Sequence, residues 1–217
     1  CGLNIASKVD VGGLSLRCVD ATTGKLAWDA APAEVGVFQG PWLMSDGVIV
    51  ACGVDGSRVA VDVETGRTLW SSSSGVGLWA KARPVAMDGH RVLYNYEDGY
   101  VCVDVRTGEL QWQAKVAGPA AGQPEQAWPE RVILTDELVI VPTCDGAMAL
   151  RLSDGAIRWR VAVPVRLPED MAAVTLAGEV VVVYDRHGRR GLLHLVDIRT
   201  GKLLQLLDVG EASEAQD

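Results

Sequence analysis

Residues 61–70 read VDVETGRTLW, and residues 103–112 read VDVRTGELQW. Three further versions of the phrase follow the same plan: VDATTGKLAW at 19–28, LRLSDGAIRW at 150–159 and VDIRTGKLLQ at 196–205. The shared glycines are Gly24, Gly66, Gly108, Gly155 and Gly201, separated by 42, 42, 47 and 46 residues. Self-similarity with a period in the forties marks a repeat architecture, so each residue has to be read first as a member of its repeat.

One unit shows the local structure. In residues 42–70, WLM is apolar, SDG is a turn, VIVAC is apolar and VDG is a second turn; RVAVDV alternates, ETG turns again, and RTLW closes the unit. Residues 84–112 repeat this as PVAM, DGH, RVLYNY, EDG, YVCVDV, RTG and ELQW. Short runs rich in Val, Ile and Leu between Asp-Gly and Thr-Gly turns predict consecutive β-hairpins. No stretch spaces its apolar residues helically over three turns. The expectation is an all-β chain of four-stranded antiparallel sheets at about 1–30, 41–72, 83–115, 129–163 and 171–209. Together they form one domain over 1–210, followed by a polar tail at 211–217.

The tryptophan four residues after the turn glycine recurs as Trp28, Trp70, Trp112 and Trp159. An indole buries about 150–250 Å². At about 25 cal/mol per Å² this contributes on the order of 4–6 kcal/mol, an upper bound for an extended-chain reference. One such side chain per unit is suited to packing each sheet against the next. The fifth unit has Gln205 at this place, so its sheet is expected to lack the contact. Four-stranded sheets at this period, packed face to face, make a β-propeller.

The pattern Asp-x-x-Thr-Gly-x-x-x-Trp, intact at 20–28, 62–70 and 104–112, resembles the tryptophan-docking repeat of pyrroloquinoline-quinone-like propellers. The fourth copy departs from it, with Arg151 for the Asp and Asp154 for the Thr. The resemblance covers the whole chain. It implies a β-propeller of about five blades, with the first blade incomplete at its N-terminus: aligning GLNIAS (2–7) with VIVAC (48–52) places the opening segment on a second strand. An unpaired inner edge is an aggregation hazard, so a protein partner or an upstream segment is expected to cover that blade.

Composition restricts the function. The formal charge is −8 and the isoelectric point about 4.9, against nucleic acid and anionic lipid surfaces as ligands, which need clustered Lys and Arg. The basic cluster Arg186-His187-Gly188-Arg189-Arg190 reads as a solvated hairpin tip. No apolar run reaches the roughly 20 residues of a membrane span. The five cysteines (Cys1, Cys18, Cys52, Cys102 and Cys144) show no C-x-x-C and no zinc spacing with histidine. Buried thiols without partners favour a reducing, cytoplasmic location, the alternative being a cell-envelope lipoprotein anchored through Cys1.

Catalytic machinery is not legible. His90 and His187 fall in turns, and His194 alternates with leucines in LLHLVD without a spaced partner. There is no nucleophile elbow, phosphate loop or metal motif, so no catalytic residue, cofactor or metal is expected. Most of the acidic residues sit at recurring turns: Asp55, Asp98 and Asp145 at one, Asp46 and Asp88 at another. Function should lie where units differ, in the connections 29–41, 71–83, 113–129 and 160–171. Trp79 and Trp128 lie in these connections, Trp42 opens an inner strand, and Arg83 and Arg131 precede equivalent strands. These five residues form the candidate interaction face. The resemblance implies a non-catalytic binding or scaffolding propeller working through inter-blade loops. Its alternatives are the sensor propeller of a larger bacterial signalling protein, such as a serine/threonine kinase, and a fragment of a quinone-dependent dehydrogenase. Such dehydrogenases hold their quinone with a vicinal disulfide, a stacking tryptophan and a calcium cluster, and adjacent cysteines and a recognisable calcium ligand set are missing here.

Overall fold

The structure is a computed structural model that describes residues 3–5, 9–10, 13–14, 16–30, 42–53, 56–72, 82–96, 99–116, 132–143, 145–163, 173–187 and 190–211. All regular structure among these is β. Backbone contacts divide the chain into two compact units, Cys1–Lys115 and Val116–Asp217.

The first unit holds three sheets. Sheet I is built from β1 (Leu3–Ile5), β4 (Leu16–Asp20) and β5 (Leu26–Ala30), with the small hairpin β2 (Val9–Asp10) and β3 (Gly13–Leu14) between β1 and β4. Sheet II is the meander β6 (Leu43–Ser45), β7 (Val48–Cys52), β8 (Arg58–Asp62) and β9 (Thr68–Ser72). Sheet III is β10 (Arg83–Met87), β11 (Arg91–Tyr96), β12 (Gly99–Asp104) and β13 (Leu110–Lys115). The second unit holds sheet IV, β14 (Ile133–Leu134), β15 (Leu138–Thr143), β16 (Gly146–Arg151) and β17 (Ile157–Ala162), and sheet V, β18 (Ala173–Ala177), β19 (Val180–His187), β20 (Arg190–Asp197) and β21 (Leu203–Glu211). Every pairing is antiparallel between successive strands of a sheet, β1 pairing directly with β4. Sheet I has three strands where the others have four, and β1 occupies the second-strand place, as the alignment of its residues with VIVAC requires.

The middle strands β7, β8, β12, β15 and β16 are buried almost from end to end. Such strands lie between neighbouring sheets and read as continuous apolar runs. Val48, Val50 and Ala60 of sheet II meet Val92, Tyr94, Val101 and Val103 of sheet III. Leu16 of sheet I packs with Ala51, Val59 and Val61. In the second unit Ile140, Ala147 and Ala149 meet Val181, Val183 and Val196.

The recurring phrase builds two things at once. Its first half is a turn. Thr65 donates both its backbone N–H, at 2.9 Å, and its hydroxyl, at 2.7 Å, to Asp62 Oδ1, and Gly66 N–H donates to the Asp62 carbonyl. Asp20 with Thr23, Asp104 with Thr107 and Asp197 with Thr200 repeat the arrangement. The divergent fourth copy keeps the turn by exchanging roles: Asp154 accepts the Ala156 N–H at 3.0 Å, and Arg151 pairs with Asp154 at 2.7 Å. The two substitutions compensate each other, which neither shows alone.

The second half of the phrase is a lock between sheets. Trp28 Nε1 donates to the Val63 carbonyl of the next sheet at 2.7 Å, Trp70 to Val105 at 2.8 Å and Trp159 to Ile198 at 2.7 Å. The indole lies flat on the next turn's glycine: a Cβ on Gly66, Gly108 or Gly201 would stand 2.7–2.8 Å from Trp28, Trp70 or Trp159. These glycines are required twice, by φ of about +70° and by the ring covering them. Within each sheet, the residue opposite the tryptophan is small: Cys18 faces Trp28, Ala60 faces Trp70, Cys102 faces Trp112 and Ala149 faces Trp159. Opposite Gln205 stands Leu195.

These contacts separate the two demands on glycine. Gly24 and Gly66 share a φ near +70°, yet a Cβ placed on Gly24 would meet no atom within 4 Å. Gly24→Ala should cost about 1–2 kcal/mol from left-handed strain alone. Gly66→Ala should cost roughly 1–3 kcal/mol more, because the Trp28 ring must move. Urea denaturation of the two variants measures the difference, and equal losses would remove the lock.

Candidate functional site

Among the described residues three groups of polar side chains bear on chemistry: those of the turns, a cluster between sheets II and III, and a buried pair in sheet V. The turn carboxylates are held for structure. The Thr65 hydroxyl and N–H keep the Asp62 carboxyl below the usual carboxylate range, and the Thr200 hydroxyl and N–H do the same for Asp197. For Asp104, burial pushes upward, and the Thr107 and Arg106 N–H donors outweigh it.

Between sheets II and III, Arg58 at the start of β8 is buried and lies over the Tyr94 ring, 5.1 Å from its centroid. This is a cation–π contact sheltered from water. Ser57, Tyr94 and Tyr100 are also buried. Burial pushes the Cys52 thiol up to about 12, with Arg58 opposing the shift. The same face opens into a cleft of about 220 Å³ lined by Arg58, Trp70, Ser71, Ser72, Val103, Thr107 and Gly108. The turn and repeat pattern of the sequence does not single out this cluster. Its one signal there is the alternation of SRVAVD, which puts Arg58 on the face of Ala60 and Trp70.

The third place corrects the reading of His194 as a histidine without a spaced partner. Its Nε2 lies 3.8 Å from Asp185 Oδ2, with both side chains buried. β19 and β20 pair with Val183 opposite His194 and Asp185 opposite Leu192, so the two side chains are diagonal neighbours on one face. Counting back along both strands from the hairpin tip expected at 186–190 brings the same two residues together. Both side chains lie within the buried part of sheet V.

Two residues of the candidate interaction face, Trp42 and Arg83, are among the described residues. Trp42 is half-buried and packs on the cluster between sheets I and II. Arg83 is exposed at the head of β10, where its N–H donates to Asn95 Oδ1 at 3.1 Å. Trp79, Trp128 and Arg131 lie outside the described residues, as do Cys1 and Cys144. Cys18, Cys52 and Cys102 are buried free thiols. No group of His, Cys, Asp and Glu able to hold a metal ion occurs among the described residues. No described helix is long and apolar enough to cross a membrane.

One surface departs from the repeat. The outer strands β13 and β17 alternate, with Gln111, Gln113, Arg158 and Arg160 outward and Trp, Ala or Val inward. β21 places Leu204 and Leu206 at the outward positions, 58% and 50% exposed. Its Leu207 and Val209 are exposed too, whereas Val116 and Val163, the counterparts of Val209, are buried.

These sheets, turns and indole locks are those of a known repeat. A family model described as outer membrane protein assembly factor BamB matches residues 9–125 and 97–216. The chain belongs to this family of PQQ-like β-propeller repeats. Similar solved structures include BamB from Moraxella catarrhalis, 18% identical with a TM-score of 0.63, the match covering 94% of this chain and 63% of that one. A europium-containing methanol dehydrogenase is 17% identical with a TM-score of 0.62, covering 95% of this chain and 49% of that one. A quinohemoprotein alcohol dehydrogenase from Comamonas testosteroni is 14% identical with a TM-score of 0.57, covering 95% and 43%. The chain thus spans less than two thirds of the length of these structures, and at such identities the likeness is one of fold. No curated protein matches by sequence. The all-β propeller-blade fold expected from the repeat is the fold observed.

The depressed carboxylates give a pH dependence with a definite sign. A group whose folded pKa lies below its unfolded value, about 3.9 for Asp, stabilises the fold above that value and loses this contribution as pH falls through the folded pKa. Asp62→Asn should therefore be less stable than the parent at pH 7, and the gap should close as pH falls below about 4. Urea midpoints measured from about pH 7 down to about pH 2.5 span that window; a gap independent of pH would mean the Asp62 charge plays no part in the turn.

Proposed function

We propose that this chain is a non-catalytic scaffold that binds a protein partner, with β21 as the docking strand. The observation that carries this reading is the outer strand LLQLLDV, aliphatic on both faces at the edge of its sheet. An exposed edge strand offers a row of backbone donors and acceptors, and flanking leucines supply apolar area on either side. Natural edge strands normally carry charge to discourage such pairing, as β17 does with Arg158 and Arg160. The family's description as an assembly factor for outer membrane proteins fits a partner that is itself a β-strand. On this reading the protein works by contact, and the turn carboxylates and buried His194–Asp185 pair are structural.

The test is an amide titration with a synthetic strand-forming peptide of alternating aliphatic and polar residues. The β21 amides should shift, and Leu204→Lys with Leu206→Lys should weaken binding by about tenfold or more, the scale of removing two apolar contacts, with melting unchanged. Unshifted β21 amides would sink the strand-docking reading. Separately, adding pyrroloquinoline quinone with calcium should leave the indole fluorescence unaltered; saturable micromolar binding would favour the dehydrogenase reading instead.

A further inference from the structure

One place in the repeat turns from uncharged to charged in a single sheet. It lies two residues before the position opposite each lock residue, and it is paired across the last two strands of its sheet. The pairs are Leu16 with Ala30, Tyr100 with Ala114, Ala147 with Val161 and Leu193 with Leu207. None of these carries a charge, and Leu16, Tyr100 and Ala147 are fully buried. In sheet II the pair is Arg58 with Ser72. Arg58 is 5% exposed and lies over the Tyr94 ring of sheet III. A guanidinium keeps its proton in a protein, so this is a buried positive charge. Taking such an ion out of water is costly, and the ring contact offsets part of that cost. Burial accordingly pulls Arg58 below its ordinary value, and a negative charge beside it would oppose that pull.

The same side chain lines the cleft between sheets II and III, together with Trp70, Ser72, Val103 and Thr107. We propose that this cleft binds a small monocarboxylate, with the Arg58 guanidinium as its counter-charge and Trp70 and Val103 as the wall against a short apolar tail. Three arguments select this occupant. The first is the guanidinium itself. Its planar fork matches the two oxygens of a carboxylate, and a charge walled by protein attracts an anion more strongly than one in open water. The second is size. The cleft of about 220 Å³ has room for about seven waters at about 30 Å³ each, below the range of about 300–1,000 Å³ for drug-sized ligands. It therefore takes a small acid, or the carboxylate end of a chain, and not a whole cofactor. The third is charge. The chain carries a formal −8, and Thr107 at the cleft donates its hydroxyl to Asp104 Oδ1 at 3.1 Å, which sets a carboxylate nearby. A single negative charge meets less repulsion there than a phosphate dianion. This inference does not depend on the scaffold reading, since it concerns sheets II and III and not β21.

The test titrates the 217-residue chain with propanoate, its neutral isostere propanamide and inorganic phosphate at constant ionic strength, read by nuclear magnetic resonance. Propanoate should shift the Arg58 Nε–H cross-peak and the Ser72 and Gly108 amides saturably, propanamide should leave them in place, and phosphate should bind more weakly than propanoate. Arg58→Met, which replaces the ion by an apolar chain of similar length, should weaken propanoate binding at least about tenfold, with the remaining amide spectrum retained. The three probes on the unaltered chain decide the question even where the variant fails to fold. A tripeptide blocked at its N-terminus and free at its C-terminus separates the two sources of a carboxylate. Tighter binding than propanoate assigns the cleft to a chain end, weaker binding assigns it to a free acid, and either supports the site. Absence of a saturable Arg58 shift, equal shifts from propanamide, tighter binding of phosphate, or propanoate binding that survives Arg58→Met overturns the proposal.

Discussion

The structure depends on one contact: an indole laid on a glycine of the next sheet, with its N–H given to a carbonyl at the rim. Each part constrains the others. The ring must be flat against the backbone, so the turn residue can carry no side chain. The N–H must reach a carbonyl, so the turn must hold its shape, which the Asp-Thr hydrogen bonds ensure. The ring must also fit over its own sheet, so the facing residue is Cys or Ala. A polar donor buried between sheets without an acceptor would oppose folding; here it joins them.

That constraint explains residues that otherwise look suited to chemistry. Cys18 and Cys102 are the small partners beneath indoles, and their thiols are buried. Asp20, Asp62, Asp104 and Asp197 are poised as acceptors for turn donors. Arg151 and Asp154 show that the turn tolerates a different chemistry when two positions change together. Repetition is the physical reason for assigning these groups to architecture, since a turn needed between every pair of sheets recurs and a single reaction centre does not.

The same constraint shows where the chain is unlike itself. Sheet V has Gln205 in the tryptophan's place and Leu195 where the other sheets have Cys or Ala, and its outer strand exchanges outward Gln and Arg for leucine. Sheet I keeps the same turn, and no ring of the described residues covers its Gly24. These departures are at sheets I and V. Function in a repeat protein is carried by such differences.

The residues alone were enough for the strand count per unit, the turns and the tryptophan role, because these follow from short-range rules: period-two alternation, positive φ at glycine and the size of an indole. Gln205 and the second-strand place of β1 were also legible, from alignment of the copies. The carbonyl each indole meets, the glycine it covers and the small residue beneath it became visible only in the tertiary structure. So did the Arg58–Tyr94 contact and the His194–Asp185 pair. The physical reason is common to all of them: they join atoms about nine to forty residues apart through strand register and sheet stacking, and a single sequence specifies which faces are apolar without specifying which side chains on them meet.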